Sequence, residues 1–196
     1  MGAITSSSGE LVVSASCASR LEAVFMRCFT HSDCTRLAGG FDEPLYKPAA
    51  CEGEIHVLQY REDFVASALH EVAHWCIAGP TRRLQTDFGY WYIPDGRNPG
   101  QQRAFEAVEY KPQALEWFFS KACAQQFHIS IDNLHGSMGD GDSDSDFERL
   151  VVAQAQKWQC EGLPVDGGKF FRALCREFSV ADDLAGLHFS SSELQQ

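Results

Sequence analysis

The fold is decided by one segment of the sequence, which runs Phe64-Val65-Ala66-Ser67-Ala68-Leu69-His70-Glu71-Val72-Ala73-His74-Trp75-Cys76-Ile77-Ala78-Gly79-Pro80. Its apolar residues recur at helical spacing, so a helix is predicted over 64–78, with Asp63 as its cap and Gly79-Pro80 as its end. His70 and His74 are four residues apart and therefore lie one turn apart on the same helical face. In that arrangement both imidazoles can bind one metal ion.

A metal site needs at least a third ligand beside the two histidines. A second long helix is predicted over 101–126, with Pro112 expected to kink or split it, and it carries Glu106 and Glu109. At 100° per residue, Glu109 projects about 60° nearer to the buried stripe of this helix than Glu106 does. That stripe consists of Phe105, Val108, Leu115 and Phe119. Glu109 is therefore the predicted third ligand, and Glu106 is the second choice.

Two histidines and one carboxylate fit two chemistries. With Zn²⁺ they polarise a water molecule for hydrolysis, and Glu71 would be the general base of a metallopeptidase. With Fe²⁺ they form the facial triad of oxygenases, in which the open positions take O₂ and other ligands. A third possibility is a non-catalytic interaction domain in which a metal only braces two helices. The spacing of the residues leaves these alternatives open.

The remaining sequence predicts an α+β fold, a predominantly helical single domain with a small sheet and a metal site between two helices of zincin type. The single domain is predicted over 19–189, between a flexible tail at 1–18 and a polar tail at 190–196. Further helices are predicted over 20–29, 146–160 and 167–178, and short strands over 55–60, 88–93 and 127–131. Gly39-Gly40 is predicted to break the chain. The aspartates between 140 and 146 are predicted to form an acidic loop that ends in a helix cap at Asp144 or Asp146.

Composition restricts the class of protein further. Sixteen Lys and Arg stand against 27 Asp and Glu, a formal net charge of −11. Such a surface repels phosphate backbones, so direct nucleic-acid binding is not expected, and a cationic partner or substrate is favoured. The short apolar runs predict no membrane span. The eight cysteines are scattered and contain no Cys-x-x-Cys, which is typical of reduced thiols in a cytoplasmic protein.

Several blocks of the chain carry a family resemblance that runs in order across about 40–135. Besides the segment 67–79, they are Asp42-Glu43-Pro44-Leu45-Tyr46, Asp87-Phe88-Gly89-Tyr90-Trp91-Tyr92, Pro94-Asp95-Gly96-Arg97, Phe105-Glu106, Val108-Glu109, Lys111-Pro112-Gln113-Ala114-Leu115 and Asp132-Asn133-Leu134. With these motifs the chain closely resembles the elongation factor P hydroxylases of bacteria.

The resemblance implies an iron-dependent, monooxygenase-type enzyme that uses O₂ to hydroxylate a lysine of elongation factor P after that lysine has received a β-lysyl group. It implies a metal site at His70, His74 and a glutamate of the second helix, which Zn²⁺ or another divalent ion would also fit. Glu71 would then orient a metal-bound water or a ligand histidine. Candidates for binding the cationic substrate are the acidic and aromatic residues of the matching blocks, namely Asp42, Glu43, Asp87, Tyr90, Trp91 and Asp95.

Overall fold

The computed structural model describes residues 16–89, 97–130 and 141–194. These residues are mostly helical with one three-stranded sheet, which confirms the predicted α+β class. The elements in chain order are α1 (Cys17–Phe25), a π-helical turn (Met26–Thr30), α2 (His31–Asp33), β1 (Thr35–Phe41), β2 (Leu45–Lys47), β3 (His56–Arg61), α3 (Val65–Arg82), a 3-10 turn (Thr86–Gly89), α4 (Pro99–Ala122), α5 (Gly141–Glu161), α6 (Val165–Phe178) and α7 (Ser191–Leu194).

The structure also bears on membrane spans, on the cysteines and on the predicted tails. In the described ranges no helix is both long enough and apolar enough to cross a membrane. All eight cysteines lie in these ranges and are free thiols. The domain limits at 19 and 189 stay a prediction, and residues 1–15 and 195–196 of the predicted tails lie outside the described residues.

The sheet has the order β1-β3-β2, with β1 parallel and β2 antiparallel to the central strand β3. The predicted break at Gly39-Gly40 is wrong, because both glycines lie inside β1. A Cβ atom on Gly39 would come within 2.5 Å of the Tyr60 ring and of the Glu62 carbonyl oxygen. Glycine is therefore required here by the close approach of β3. The register shifts between Ala38 and Phe41, where the second glycine takes a positive φ of 89°.

The helix that carries the histidines is largely as predicted. Its helical conformation is interrupted at Gly79, which has φ 71° and ψ 172°, and a short turn then continues to Arg82. The predicted Asp63 cap is wrong, since Phe64 is the N-cap residue and makes no side-chain capping hydrogen bond.

The second long helix, α4, begins earlier and is more continuous than predicted. Asn98 Oδ1 accepts hydrogen bonds from the backbone N–H groups of Gly100 and Gln101, and the Gln101 side chain accepts one in return from Asn98 N–H. The helix passes through Pro112 without being split, so that prediction is wrong. Burial of α4 against α3, α5 and α6 outweighs the cost of the missing hydrogen bond, which is about 3 kcal/mol.

Three other local predictions are also wrong. Phe88 and Gly89 belong to the 3-10 turn rather than to a strand, and residues 90–93 of that prediction lie outside the described residues. The strand predicted over 127–131 is also absent from the described part of this segment: residues 127–130 have no regular secondary structure, and residue 131 lies outside the described residues. The helix predicted to start at a cap on Asp144 or Asp146 starts at Gly141 instead, so both aspartates lie within α5.

The core is built around the apolar face of α3. Trp75 is fully buried and its ring centroid lies 4.6 Å from that of Phe29 and 5.3 Å from that of Phe25. Phe170 of α6 contacts both phenylalanines and reaches the Phe119 ring on α4 at 5.1 Å. This aromatic cluster fixes the rotation of α3, so that its opposite face, with the two histidines, is turned toward α4.

Candidate metal centre

Three side-chain atoms from α3 and α4 converge between the two helices. His74 Nε2 lies 3.1 Å from His70 Nε2 and 3.2 Å from Glu109 Oε2. His70 Nε2 lies 3.5 Å from the same carboxylate oxygen. These three side chains are close enough together to hold one metal ion, and they are the group of this kind found in the described part of the chain.

The spacing of these atoms fits a common ion. Two ligand atoms that each lie about 2.1 Å from one metal are about 3.0 Å apart at a right angle and about 3.4 Å apart at the tetrahedral angle. The three separations of 3.1, 3.2 and 3.5 Å agree with this range. Lone pairs of nitrogen and oxygen that face one another this closely are favourable only with a proton or a metal cation between them.

The fold explains why Glu109 lies at the histidines. His74 on α3 contacts Glu109, whereas His70, one turn earlier, contacts Glu116 further along α4. The two helices therefore run antiparallel with these faces opposed. The Glu106 carboxylate instead accepts a hydrogen bond of 3.0 Å from Gln102 Nε2 and is not part of the three-residue group. The geometry thus favours Glu109, while the ligand roles themselves stay a prediction.

Glu116 was not among the candidates drawn from the sequence. Its Oε2 atom lies 2.9 Å from His70 Nδ1, and its side chain is 9% exposed. The sequence contains a signal for it: Glu109 and Glu116 are seven residues apart, which places both on one face of α4. Buried polar residues recur along this same face, at Gln102, Glu106, Glu109, Gln113, Glu116 and Ser120.

The centre has an excess of negative charge. Burial by itself lowers the pKa of His70, but the hydrogen bond and charge of Glu116 outweigh it and, with the charges of Glu109 and Glu71, raise this pKa to about 10. Burial raises the pKa of the Glu71 carboxyl, and the two histidines only partly offset this effect. Burial likewise raises the pKa of Glu116. Buried carboxylates are costly unless a cation compensates them, which a divalent metal ion would do.

One side of the centre is closed by aromatic rings and the other is open. The Phe88 ring stacks on His74 at 6.5 Å and on Tyr46 at 4.5 Å. The His70 side chain is 26% exposed, against 7% for that of His74, so access from solvent is on the His70 side.

The predicted substrate-binding residues are separated by the structure. Asp87 lies beside this aromatic wall, where its Oδ1 accepts a hydrogen bond from Tyr46 N–H and burial raises the pKa of its carboxyl. Asp42 instead lines a separate cleft of about 470 Å³ between α1 and the end of β1, together with the carboxylates of Glu22, Glu62 and Asp63. Glu43 is exposed in the connection between β1 and β2. Tyr90, Trp91 and Asp95 lie outside the described residues. No substrate role is tested by these positions, and all six stay predictions.

A helical α+β domain with a His-Glu-x-x-His helix, and with two imidazoles and a carboxylate that can hold a metal between helices, defines a class of candidate metal-dependent enzymes. The comparisons with known proteins narrow this class. A family model described as elongation factor P hydroxylase matches residues 24–188. The chain is also 43% identical over 162 residues to the elongation factor P lysine hydroxylase of Haemophilus influenzae, with 83% of this chain and 89% of that protein covered. The chain belongs to the elongation factor P hydroxylase family, as its sequence motifs predict.

Proposed function

We propose that this protein is a non-haem, iron-dependent hydroxylase that adds an oxygen atom to the β-lysylated lysine of elongation factor P. Hydroxylation of a lysine of this factor is supported by the name of the Haemophilus influenzae relative, which aligns with most of the chain. The observation that carries the proposal is the convergence of His70, His74 and Glu109 inside the segment matched by the family model.

In this proposal the metal is held by His70 Nε2, His74 Nε2 and a carboxylate oxygen of Glu109. Fe²⁺ bound by two imidazoles and one carboxylate supplies oxygenase chemistry, because it keeps coordination positions free for O₂. Zn²⁺ or another divalent ion would also fit these donor atoms. A purely structural zinc is disfavoured, since such a site is normally closed by four protein ligands, and the His-His-Glu group supplies three.

The protein's own residues would restrict access to the reacting group. Phe88 and Tyr46 exclude water from the His74 side, and the partly exposed His70 leaves an entrance on the opposite side. Glu71 follows His70 directly and is partly buried, and its carboxyl has a raised pKa because of that burial. We assign to Glu71 the binding of a proton or of a water molecule at its carboxylate oxygens beside the histidines.

The charge of the protein agrees with a cationic side chain as substrate. A β-lysylated lysine carries amine charge, and the carboxylates of Glu71 and Asp87 near the histidines would attract it. The charge of Asp87 raises the pKa of the Glu71 carboxyl, and the charge of His74 lowers the pKa of both carboxyls. Both carboxyl groups therefore lie near the histidines. The substrate is a translation factor, so we assign the enzyme to the cytoplasm.

The test uses purified protein loaded with Fe²⁺ or with Zn²⁺, incubated with β-lysylated or unmodified elongation factor P under air or under nitrogen. Intact-mass spectrometry should detect the gain of one oxygen atom with iron, air and the β-lysylated factor together. A matched His74→Ala variant should give no gain. Cleavage of peptides by the zinc form without any oxygen gain would contradict the proposal and favour a metallopeptidase with Glu71 as its base. Hydroxylation of the unmodified factor at the same rate would refute the β-lysyl requirement alone.

A further inference from the structure

The two ring nitrogens of His70 face different carboxylates. Its Nε2 atom points to His74 Nε2 at 3.1 Å and to Glu109 Oε2 at 3.5 Å. Its Nδ1 atom lies 2.9 Å from Glu116 Oε2. Because an imidazole that carries a proton on Nδ1 presents a lone pair on Nε2, the partner at Nδ1 determines which nitrogen is free to bind a metal.

The position of Glu116 on α4 suits it for this outer nitrogen only. Seven residues separate it from Glu109, about 10.5 Å along the helix axis and only about 20° short of two full turns. The histidines on the antiparallel helix are about 6 Å apart along their axis. Glu116 therefore lies beyond His70, on the side away from His74, while Glu109 lies between the two inner nitrogens.

We propose that Glu116 is a positioning residue for the metal centre: its carboxylate accepts the Nδ1–H of His70 and holds the ring with Nε2 directed at His74 and Glu109. The inference rests on the metal centre proposed above. With Glu109, the Glu116 carboxylate also supplies the second negative charge that balances a divalent ion. Histidine ligands in metal sites commonly donate their second N–H to such a carboxylate, which fixes the tautomer and makes the ligand more basic.

One substitution separates the charge of Glu116 from its hydrogen bond. Glu116 is only 7% exposed as a residue, so its carboxylate is largely removed from water. Glutamine has nearly the same volume and still forms a hydrogen bond, but it carries no charge and can present its donor or its acceptor to the ring. Glu116→Gln should therefore leave the metal-free protein folded while changing metal binding.

The experiment measures Co²⁺ and Zn²⁺ binding by titration calorimetry, and the visible absorption of the Co²⁺-loaded protein, for wild type, Glu116→Gln, Glu116→Ala and Glu109→Gln. The matched control is Ser120→Ala, one turn further along the same buried face of α4. We expect both Glu116 variants to weaken Co²⁺ and Zn²⁺ binding by about 10–100-fold. The Co²⁺ absorption bands should shift, because the ring of His70 is no longer fixed. Ser120→Ala should change neither quantity, and circular dichroism should show that metal-free Glu116→Gln is folded.

The outcomes separate this inference from the proposed function. If wild type binds both ions and the Glu116 variants bind them equally tightly with an unchanged Co²⁺ spectrum, the positioning role is wrong and the metal centre stands. If Glu116→Gln abolishes binding while Glu109→Gln preserves it, Glu116 is a direct ligand and the inference is overturned. If wild type binds neither ion, both the inference and the metal centre are wrong.

Discussion

The two faces of α3 differ in what they contribute to the protein. One face buries Leu69, Val72 and Trp75, and its tryptophan packs between the aromatic rings of the core. The other face presents His70 and His74 to the buried carboxylates of α4. The first face consists of apolar groups whose removal from water stabilises the fold. The second consists of ionisable groups whose burial is unfavourable without a counter-charge.

This difference assigns stability and function to opposite sides of one helix. The aromatic side holds α3 rigidly, so that the polar side can keep ionisable groups close together even though they would separate in water. The cost is visible in the raised pKa of the buried carboxyls of Glu71 and Glu116. A bound cation would relieve this cost, so metal binding through the polar face should raise the free energy of unfolding of the whole protein.

The largest expected effect is loss of metal binding and of activity in Glu109→Gln. Loss of an outer hydrogen-bond partner lowers metal affinity by 10–100-fold, so removal of a ligand should lower it by more than about 100-fold. The metal-free protein should remain folded, because glutamine has nearly the same volume as glutamate and can still form a hydrogen bond with the histidines. Calorimetric metal titration and mass spectrometry of elongation factor P measure the first effect, and urea unfolding measures the second.

The matched control for that variant is Glu106→Gln, on the same face of α4 and also buried. Its carboxylate bonds to Gln102, so we expect metal affinity within about fivefold of wild type, well short of the loss for a ligand. If Glu106→Gln instead loses the metal and Glu109→Gln retains it, the choice between the two glutamates is reversed.

On the aromatic face the opposite pattern is expected for Phe170→Ala. Phe170 is fully buried against Phe25, Phe29 and Phe119. Its truncation should lower the free energy of unfolding by about 3–5 kcal/mol, because it removes buried apolar area and leaves a cavity. Metal affinity, measured at a temperature where the variant is folded, should change by less than about threefold, because the ring contacts of Phe170 are with the core residues Phe25, Phe29 and Phe119.

Val165→Ala on the same helix is its control, since that side chain is 87% exposed and should change stability by less than about 0.5 kcal/mol. Chemical denaturation measures the free energy of unfolding of both variants. Equal losses would show that burial of Phe170 in the aromatic cluster does not stabilise the fold.

The polar face could be predicted from the sequence as far as local periodicity reaches. His70 and His74 are four residues apart, and helical geometry alone places them together. Glu109 was predicted from the apolar stripe of α4, although the histidines that it contacts lie on α3. Glu116 was missed because a glutamate on a long helix is usually solvated. Its significance depends on the antiparallel pairing of α3 and α4, which no local pattern contains.

The parts of the fold that were mispredicted depend on contacts between distant residues. Gly39 resembles a chain break, yet it belongs to a strand because Tyr60, 21 positions later, occupies the space of its missing side chain. Pro112 resembles a helix break, yet packing on three neighbouring helices keeps α4 intact. Asp42 resembles a substrate-binding residue by its place in a family motif. The topology places it in the cleft beside α1, whose lining includes neither histidine of the candidate centre.

The smallest expected effect concerns Glu177, a carboxylate that is paired with full positive charges rather than with imidazoles. Its Oε1 lies 3.1 Å from Arg20 Nε and its Oε2 lies 2.7 Å from Arg27 Nη2. The hydrogen bond from Arg20, with that from Arg27, outweighs the effect of burial and lowers the pKa of this carboxyl.

A lowered folded-state pKa means that the interaction of Glu177 with the two arginines stabilises the fold above the unfolded-state value near 4.3. This contribution disappears as the pH falls through the folded-state pKa. Glu177→Gln should therefore be less stable than wild type by about 1 kcal/mol at pH 7, and the difference should shrink as the pH falls below the unfolded-state value. Urea denaturation of both proteins across this range measures it, with Glu161→Gln, whose carboxylate lies 3.9 Å from Lys157 Nζ on an exposed surface, as the control. A difference that stays constant with pH would show that Glu177 acts through packing and not through its charge.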